Sequence, residues 1–174
     1  MGSEGFGAAP LVSVITPCYN AEPFVGETIR SVLAQTHPAV EHVLVDDAST
    51  DGSWAVIKRY AAEHPERIRA LRLEENRGGS HARNRGAELA RGAFLMFLDA
   101  DDLIAPDTLA SLANAAGSHP AGIGICAWKR LRPREDGRWV TGPADVPLPP
   151  SDPDGALRAW LEVCSWVPPC AVLW

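Results

Sequence analysis

From Leu11 onward the chain alternates short β-branched runs with helical patterns, and this alternation limits the fold more than any other feature. LVSVIT (11–16) predicts a strand. A helix is predicted over 23–34, where Phe24, Ile29, Val32 and Leu33 recur at three- and four-residue steps. EHVLVD, ending at Asp46, predicts a second strand, and STDGSWAVIKRYAAEH a helix opened by Ser or Asp caps. RIRALRL, GGSHARNRGAELA and AFLMFLD continue the series as strand, helix and strand. Strand and helix in turn imply parallel strands with right-handed crossovers, hence an α/β sheet flanked by helices.

Open sheets of this kind bind ligands outside the carboxyl ends of their strands. Four loops therefore fall on one edge: TPCYNAEP, DDASTDGS, EENRGG and DADD. Polar residues crowd these loops and are scarce in the strands, as expected of a site carried by a scaffold.

FLMFLDADD ends an apolar run with Asp99, Asp101 and Asp102. Carboxylates this close repel one another and resist desolvation unless a positive charge meets them. On an extended chain Asp99 and Asp101 point the same way and form a hard-oxygen site suited to Mg²⁺ or Mn²⁺, which complete their shells with water and substrate phosphates. A net charge of −6 makes an imported cation the natural partner for an anionic ligand and argues against a broad nucleic-acid face. The bland alternative is that these aspartates end a strand and cap the helix near Pro106.

In the second loop, Asp47 is placed to accept hydrogen bonds from a nucleobase, while Asp46 or Ser49 closes the turn and Asp51 caps the next helix. In the first loop, Tyr19 offers a flat face for a base, and Thr16 and Pro17 fix the strand's exit; packing for Tyr19 and a cap role for Asn20 are the plain alternatives. Arg77, Arg83 and Arg85 surround a Gly pair at a helix start, a place that favours anions, although solvated arginines are the commoner case. Neither the P-loop nor the GxGxxG fingerprint is present, nor a GxSxG elbow. The five histidines include no helical i, i+4 pair, and the four cysteines no CxxC. The cysteines read as reduced thiols of a cytoplasmic protein. No stretch of about 18 apolar residues predicts a membrane span.

VSVITPCYNAE, QTHPAVEHVLVDDASTDGS, ENRGGSHARNRG and FLDADDLIAPD, in this order from Val12 to Asp107, together resemble the nucleotide-sugar-binding half of the family 2 glycosyltransferases, which have the GT-A fold. The resemblance implies a three-layer α/β sandwich with a mostly parallel sheet, in an inverting transferase that uses a nucleoside-diphosphate sugar, commonly UDP-linked, with Mn²⁺ or Mg²⁺ and a hydroxyl acceptor such as a saccharide. Carried over by position, Thr16, Pro17, Tyr19 and Glu22 line the nucleoside pocket and Asp47 contacts the base. Asp99 approaches the ribose or the metal, and Asp101 ligates the metal; Arg83 is expected to reach the phosphates. The alternatives are a non-catalytic nucleotide-binding module and a nucleotidyltransferase, although the Gly-rich N-terminal loop usual in the latter is replaced by TPCYN.

The expected organisation is a flexible leader (1–10), a nucleotide-sugar-binding half (11–117) and the start of an acceptor-side half (118–174). A strand is predicted in GIGICAWKRL and a helix in DGALRAWLEVC, with regular structure unlikely between them, where prolines fall at 133, 143, 147, 149, 150 and 153. No acid in the chain stands out as general base, so that residue is expected beyond Trp174. The apolar run PPCAVLW reads as a terminal strand lacking downstream partners, able to pair with a second copy as a homodimer.

Overall fold

The computed structural model describes residues 9–117 and the backbone of four short strands beyond them. Strands β1 (Val12–Cys18), β2 (Val40–Asp46), β3 (Ile68–Arg72) and β4 (Phe94–Phe97) alternate with helices α1 (Glu22–Leu33), α2 (Ser53–Glu63) and α3 (Gly79–Leu89), and α4 (Thr108–Gly117) follows β4. Then come β5 (Gly124–Ile125), β6 (Trp128–Pro133), β7 (Trp139–Asp145) and β8 (Val172–Leu173). The main sheet runs β3-β2-β1-β4-β8-β5, parallel from β3 to β4, with β8 antiparallel to both neighbours. The predicted α/β class and three-layer arrangement are both present.

Alternation along the strands sorts the core into layers. Val43 and Val45 of β2 join Ile15 and Ala82 beneath α3, while Leu44 faces Val25 and Ile29 of α1 and Ile57 and Tyr60 of α2. Val12, Val14, Met96 and Leu98 pack with Leu109 and Leu112 of α4. Because both faces of β2 are covered, all seven of its residues are buried. Gly86 lets α3 lie directly on β1: a methyl there would overlap Ile15 Cγ2. The polar residues of this interior come in partnered sets. Glu41 accepts Ser13 Oγ at 2.6 Å, the Arg91 amide at 2.6 Å and Arg91 Nε at 2.9 Å, and His42 Nε2 lies 2.8 Å from Thr16 Oγ1.

Several expectations are corrected here. AFLMFLD is a strand only to Phe97, and GIGICAWKRL divides into β5 of the main sheet and β6 of a separate hairpin. The proline-rich stretch contains β7, paired antiparallel with β6. It tolerates Pro143 because the register shifts between Lys129 and Leu131, leaving Gly142 and Pro143 opposite one residue, a bulge at which no ladder amide is required. Val172–Leu173 is not an open edge: β8 is inserted between β4 and β5 and paired on both sides, which removes the edge on which the expected pairing with a second copy rested. The helix predicted in DGALRAWLEVC lies outside the described residues.

Candidate active site

Strand order reverses at β1, whose neighbours are β2 on one side and β4 on the other, and the carboxyl ends of β1 and β4 border a cleft of about 310 Å³. That volume lies at the lower end of the range for small-molecule sites. Pro17 to Ala21 and Phe24 form one wall, Asp99 to Asp101 another, and Asp47, Gly79 and Arg83 the remainder.

The first two loops brace each other. The amide of Asn20 donates to Ser49 Oγ at 3.0 Å, that of Ala21 to Ser53 Oγ at 2.8 Å, and that of Glu22 to Asp51 Oδ2 at 3.0 Å. In return Asn20 Oδ1 accepts the Thr50 amide at 2.8 Å and Glu22 Oε2 the Gly52 amide at 2.9 Å. Asp51 Oδ1 also accepts the Ser53 amide at 2.9 Å, so one carboxylate serves the starts of both α1 and α2. Asp46 closes the second turn as expected, accepting the Ser49 amide at 3.3 Å, and pairs with Arg72 Nε at 3.2 Å.

Asp47 is 2% exposed and reaches across to the loop after β3, where its two oxygens accept the amides of Arg77 at 3.0 Å and Gly78 at 2.8 Å. Two backbone irregularities flank this contact: Ala48 at φ 58 and Gly78 at φ 88. Ala48 adopts a left-handed conformation that a non-glycine residue takes at a cost, a kind of strain that concentrates at functional loops. Asp47 thereby fixes the residues leading into α3, whose first two turns present Gly79 and Arg83 to the cleft. A helix start carries partial positive charge and free amides, both attractive to an anion.

Across the cleft Arg83 Nη2 meets Asp99 Oδ1 at 2.5 Å. Arg83 Nε is buried and has no hydrogen-bond partner among the described residues. Asp99 to Asp102 is a turn, closed by the Asp102 amide on the Asp99 carbonyl at 3.1 Å. The extended-chain argument for Asp99 and Asp101 is therefore corrected; both nevertheless line the same cleft, brought there by the turn. Among the described residues no group of three His, Cys, Asp or Glu side chains is disposed to hold a metal alone. Two carboxylates beside an anion-attracting helix start still fit Mg²⁺ or Mn²⁺ in the presence of a diphosphate, since those ions use one or two protein carboxylates and take other ligands from phosphate and water.

Pro17, Tyr19, Asp47, Arg83, Asp99 and Asp101 are thus brought together. Thr16 and Glu22 are not: Thr16 is buried against His42, and Glu22 is occupied with Gly52 outside the cleft lining. Phe24, expected on the packed face of α1, is 43% exposed at the cleft, where it adds a second aromatic beside Tyr19, itself 49% exposed. Only its position one turn from TPCYN signalled this. Burial pushes the Cys18 thiol up to about 11, with Asp46 and Asp51 adding to the effect, so this cleft sulfur is no thiolate nucleophile at neutral pH.

A mostly parallel sheet with a cleft at the reversal of strand order, and an acidic turn facing a helix start across it, defines an α/β protein of the GT-A type. Residues 13–157 match the model of the glycosyl transferase family 2, and the chain belongs to that family. It is 48% identical over 100 residues to TuaG of Bacillus subtilis (strain 168), named as a teichuronic acid biosynthesis glycosyltransferase; the match covers 58% of this chain and 39% of TuaG. Among solved structures, S. aureus TarS 1–349 in complex with UDP is similar at 35% identity and TM-score 0.58, covering 63% of this chain and 32% of that one. The mannosyltransferase PcManGT from Pyrobaculum calidifontis, in complex with GDP-Man and Mn²⁺, is similar at 36% identity and TM-score 0.54, covering 62% and 34%. The chain thus spans about a third to two fifths of the length of these relatives.

Proposed function

We propose that this chain is the donor-binding portion of an inverting glycosyltransferase. It takes a nucleoside-diphosphate sugar, UDP-linked by preference, and passes the sugar to a hydroxyl acceptor such as a saccharide in the cytoplasm. The observation that carries the reading is the convergence of Tyr19, Asp47, Arg83, Asp99 and Asp101 on one cleft at the reversal of strand order. The complexes of TarS with UDP and UDP-GlcNAc and of PcManGT with GDP-Man and Mn²⁺ support the donor class.

In this reading Tyr19 stacks on the base. Asp47 keeps lone pairs beyond those given to Arg77 and Gly78, and these accept the ring N–H. Arg83 and the start of α3, both on the cleft lining, take up the diphosphate charge. Asp99 and Asp101 hold Mn²⁺ or Mg²⁺. When bound, that ion neutralises the diphosphate, which makes it a better leaving group and keeps it from repelling Asp101. The acceptor oxygen forms its bond to the anomeric carbon from the face opposite the diphosphate, whose C–O bond breaks with inversion. The hydroxyl proton passes to a general base that this reading places outside the described residues.

Calorimetric titration with UDP, GDP and AMP tests the reading. It predicts binding of UDP ahead of GDP and no measurable binding of AMP; equal binding of all three, or of none, contradicts it.

A further inference from the structure

The turn that carries Asp99 and Asp101 has no regular secondary structure between Leu98 and Pro106 to hold it. Its backbone polar groups still require partners, and a row of side chains on α1 supplies them. Thr28, Ser31 and Gln35 stand at positions i, i+3 and i+7, on one side of the helix and its first residues beyond. Thr28 is fully buried, and its Oγ1 donates to the carbonyl of Ala100 at 2.8 Å. Ser31 Oγ accepts the Ile104 amide at 3.4 Å. Gln35 uses both ends of its amide: Nε2 donates to the Ala105 carbonyl at 2.7 Å and Oε1 accepts the Leu109 amide at 3.0 Å. Thr36 adds its amide to the Pro106 carbonyl at 2.8 Å.

A helix packed on a sheet ordinarily turns an apolar stripe inward, and Val25, Ile29 and Val32 of α1 do so. Thr28 on this helix and Gln35 just past its end are buried polar exceptions. A mid-helix threonine usually returns its hydroxyl to its own backbone, whereas Thr28 gives its proton to Ala100, the residue between the two cleft aspartates. Gln35 performs the same service at the far end of the segment and supplies an acceptor for the first turn of α4.

We infer that Thr28, Ser31 and Gln35 are positioning residues which set the Asp99–Asp101 turn in the geometry that receives the cation and diphosphate. The inference rests on the proposed donor-binding role for its ligand, though its structural half does not. None of the three itself lines the cleft; they act through the backbone of residues 100–105, of which Ala100 is part of the lining. Because the ladder holds the cation side of the cleft and leaves Tyr19 and Asp47 untouched, its loss lowers the contribution of the cation to binding, not binding in general.

The test is calorimetry of UDP on this chain with and without Mn²⁺, for wild type, Thr28→Val and Thr28→Ser, with amide hydrogen exchange of residues 99–105 measured on each. Thr28→Val is expected to weaken UDP binding about tenfold in Mn²⁺, the size of effect seen when the supports of metal ligands are lost. Metal-free UDP affinity should stay within about twofold, as fits a residue remote from the nucleoside wall. Exchange at 99–105 should accelerate, and Thr28→Ser should restore both readouts. Should Thr28→Val not fold, Gln35→Glu takes its place: it keeps an acceptor for Leu109 and loses the donor to Ala105, with the same pattern expected. Equal loss with and without Mn²⁺, unchanged binding, or failure of Thr28→Ser to restore it overturns the inference. If wild type binds no UDP, the functional reading fails, and exchange at 99–105 then decides the structural half alone: unchanged exchange in Thr28→Val overturns it.

Discussion

Arg83 and Asp99 close on each other across the mouth of the cleft, Nη2 to Oδ1 at 2.5 Å. The pair joins the start of α3 to the turn after β4. It sets a cationic side chain against the acidic turn, so in the proposed function an incoming diphosphate meets both the charge that attracts it and the charge that must be neutralised.

Replacing Arg83 by Ala is therefore predicted to separate the phosphate from the nucleoside contribution. UDP affinity falls about tenfold, the scale of a lost charge-assisted hydrogen bond, while uridine affinity is unchanged. Competition calorimetry with the two ligands reads the difference. A parallel loss for uridine would show that Arg83 supports the fold of the cleft instead of binding phosphate.

His42 gives the fold an acid-sensitive element. Burial, aided by the nearby Arg67 charge, lowers its pKa from 6.5 to about 3, so the folded protein keeps it neutral where the unfolded chain takes up a proton. Unfolded chains then bind more protons between those two values, and stability rises with pH across that window: it is complete above about pH 6.5 and falls as the pH drops toward 3. The predicted slope is at most about 1.4 kcal/mol per pH unit, read as urea midpoints between pH 7 and 4.5. His42→Gln should flatten this slope. At lower pH Glu41 joins in: burial works against its charge, but hydrogen bonds from Ser13 and Arg91 outweigh it and hold the carboxyl below its ordinary value. Its stabilisation is present above the unfolded carboxylate range and is lost on further acidification.

Gly86 tests the α3–β1 contact. An added methyl at this position meets Ile15 Cγ2, so Gly86→Ala should destabilise by about 1–3 kcal/mol, the usual cost of overpacking, despite the better helix propensity of alanine. Urea unfolding measures it, and Ile15→Val in the same background should recover part of the loss. An unchanged midpoint for Gly86→Ala would mean that α3 sits farther from the sheet than this contact requires.

What the sequence revealed and what it concealed divide along physical lines. β1 and β2 were legible because largely β-branched runs buried on both faces lie between polar turns, and β3, at the sheet edge, because Ile68 and Leu71 stand among arginines in a short run. Asp47 was separable from its turn, although nothing local to DDASTDGS foretold that its acceptors would be the amides of Arg77 and Gly78, some 30 residues away. Leu98 is as apolar as a strand residue, so the end of β4 at Phe97 was invisible; its amide still bonds to Ile15 at 2.9 Å, but the backbone then turns. Phe24 obeyed helical periodicity and faces the cleft all the same, since periodicity reports spacing and not which side a loop leaves open. Thr28 in the predicted helix and Gln35 just past it carried no sign of their role, because their partners belong to a segment about 70 positions later. A pairing across that distance leaves no mark on either stretch read alone.

The central claim is that a divalent cation held by Asp99 and Asp101 completes the binding of a nucleoside diphosphate. Its most direct test is the affinity for UDP measured by calorimetry with and without Mn²⁺, on wild type and on Asp101→Ala. The account predicts that Mn²⁺ tightens UDP binding about tenfold or more in wild type, as expected when a ligand is recruited by a cation, and that Asp101→Ala abolishes this increment. UDP binding that is indifferent to Mn²⁺ and unaffected by Asp101→Ala would contradict it.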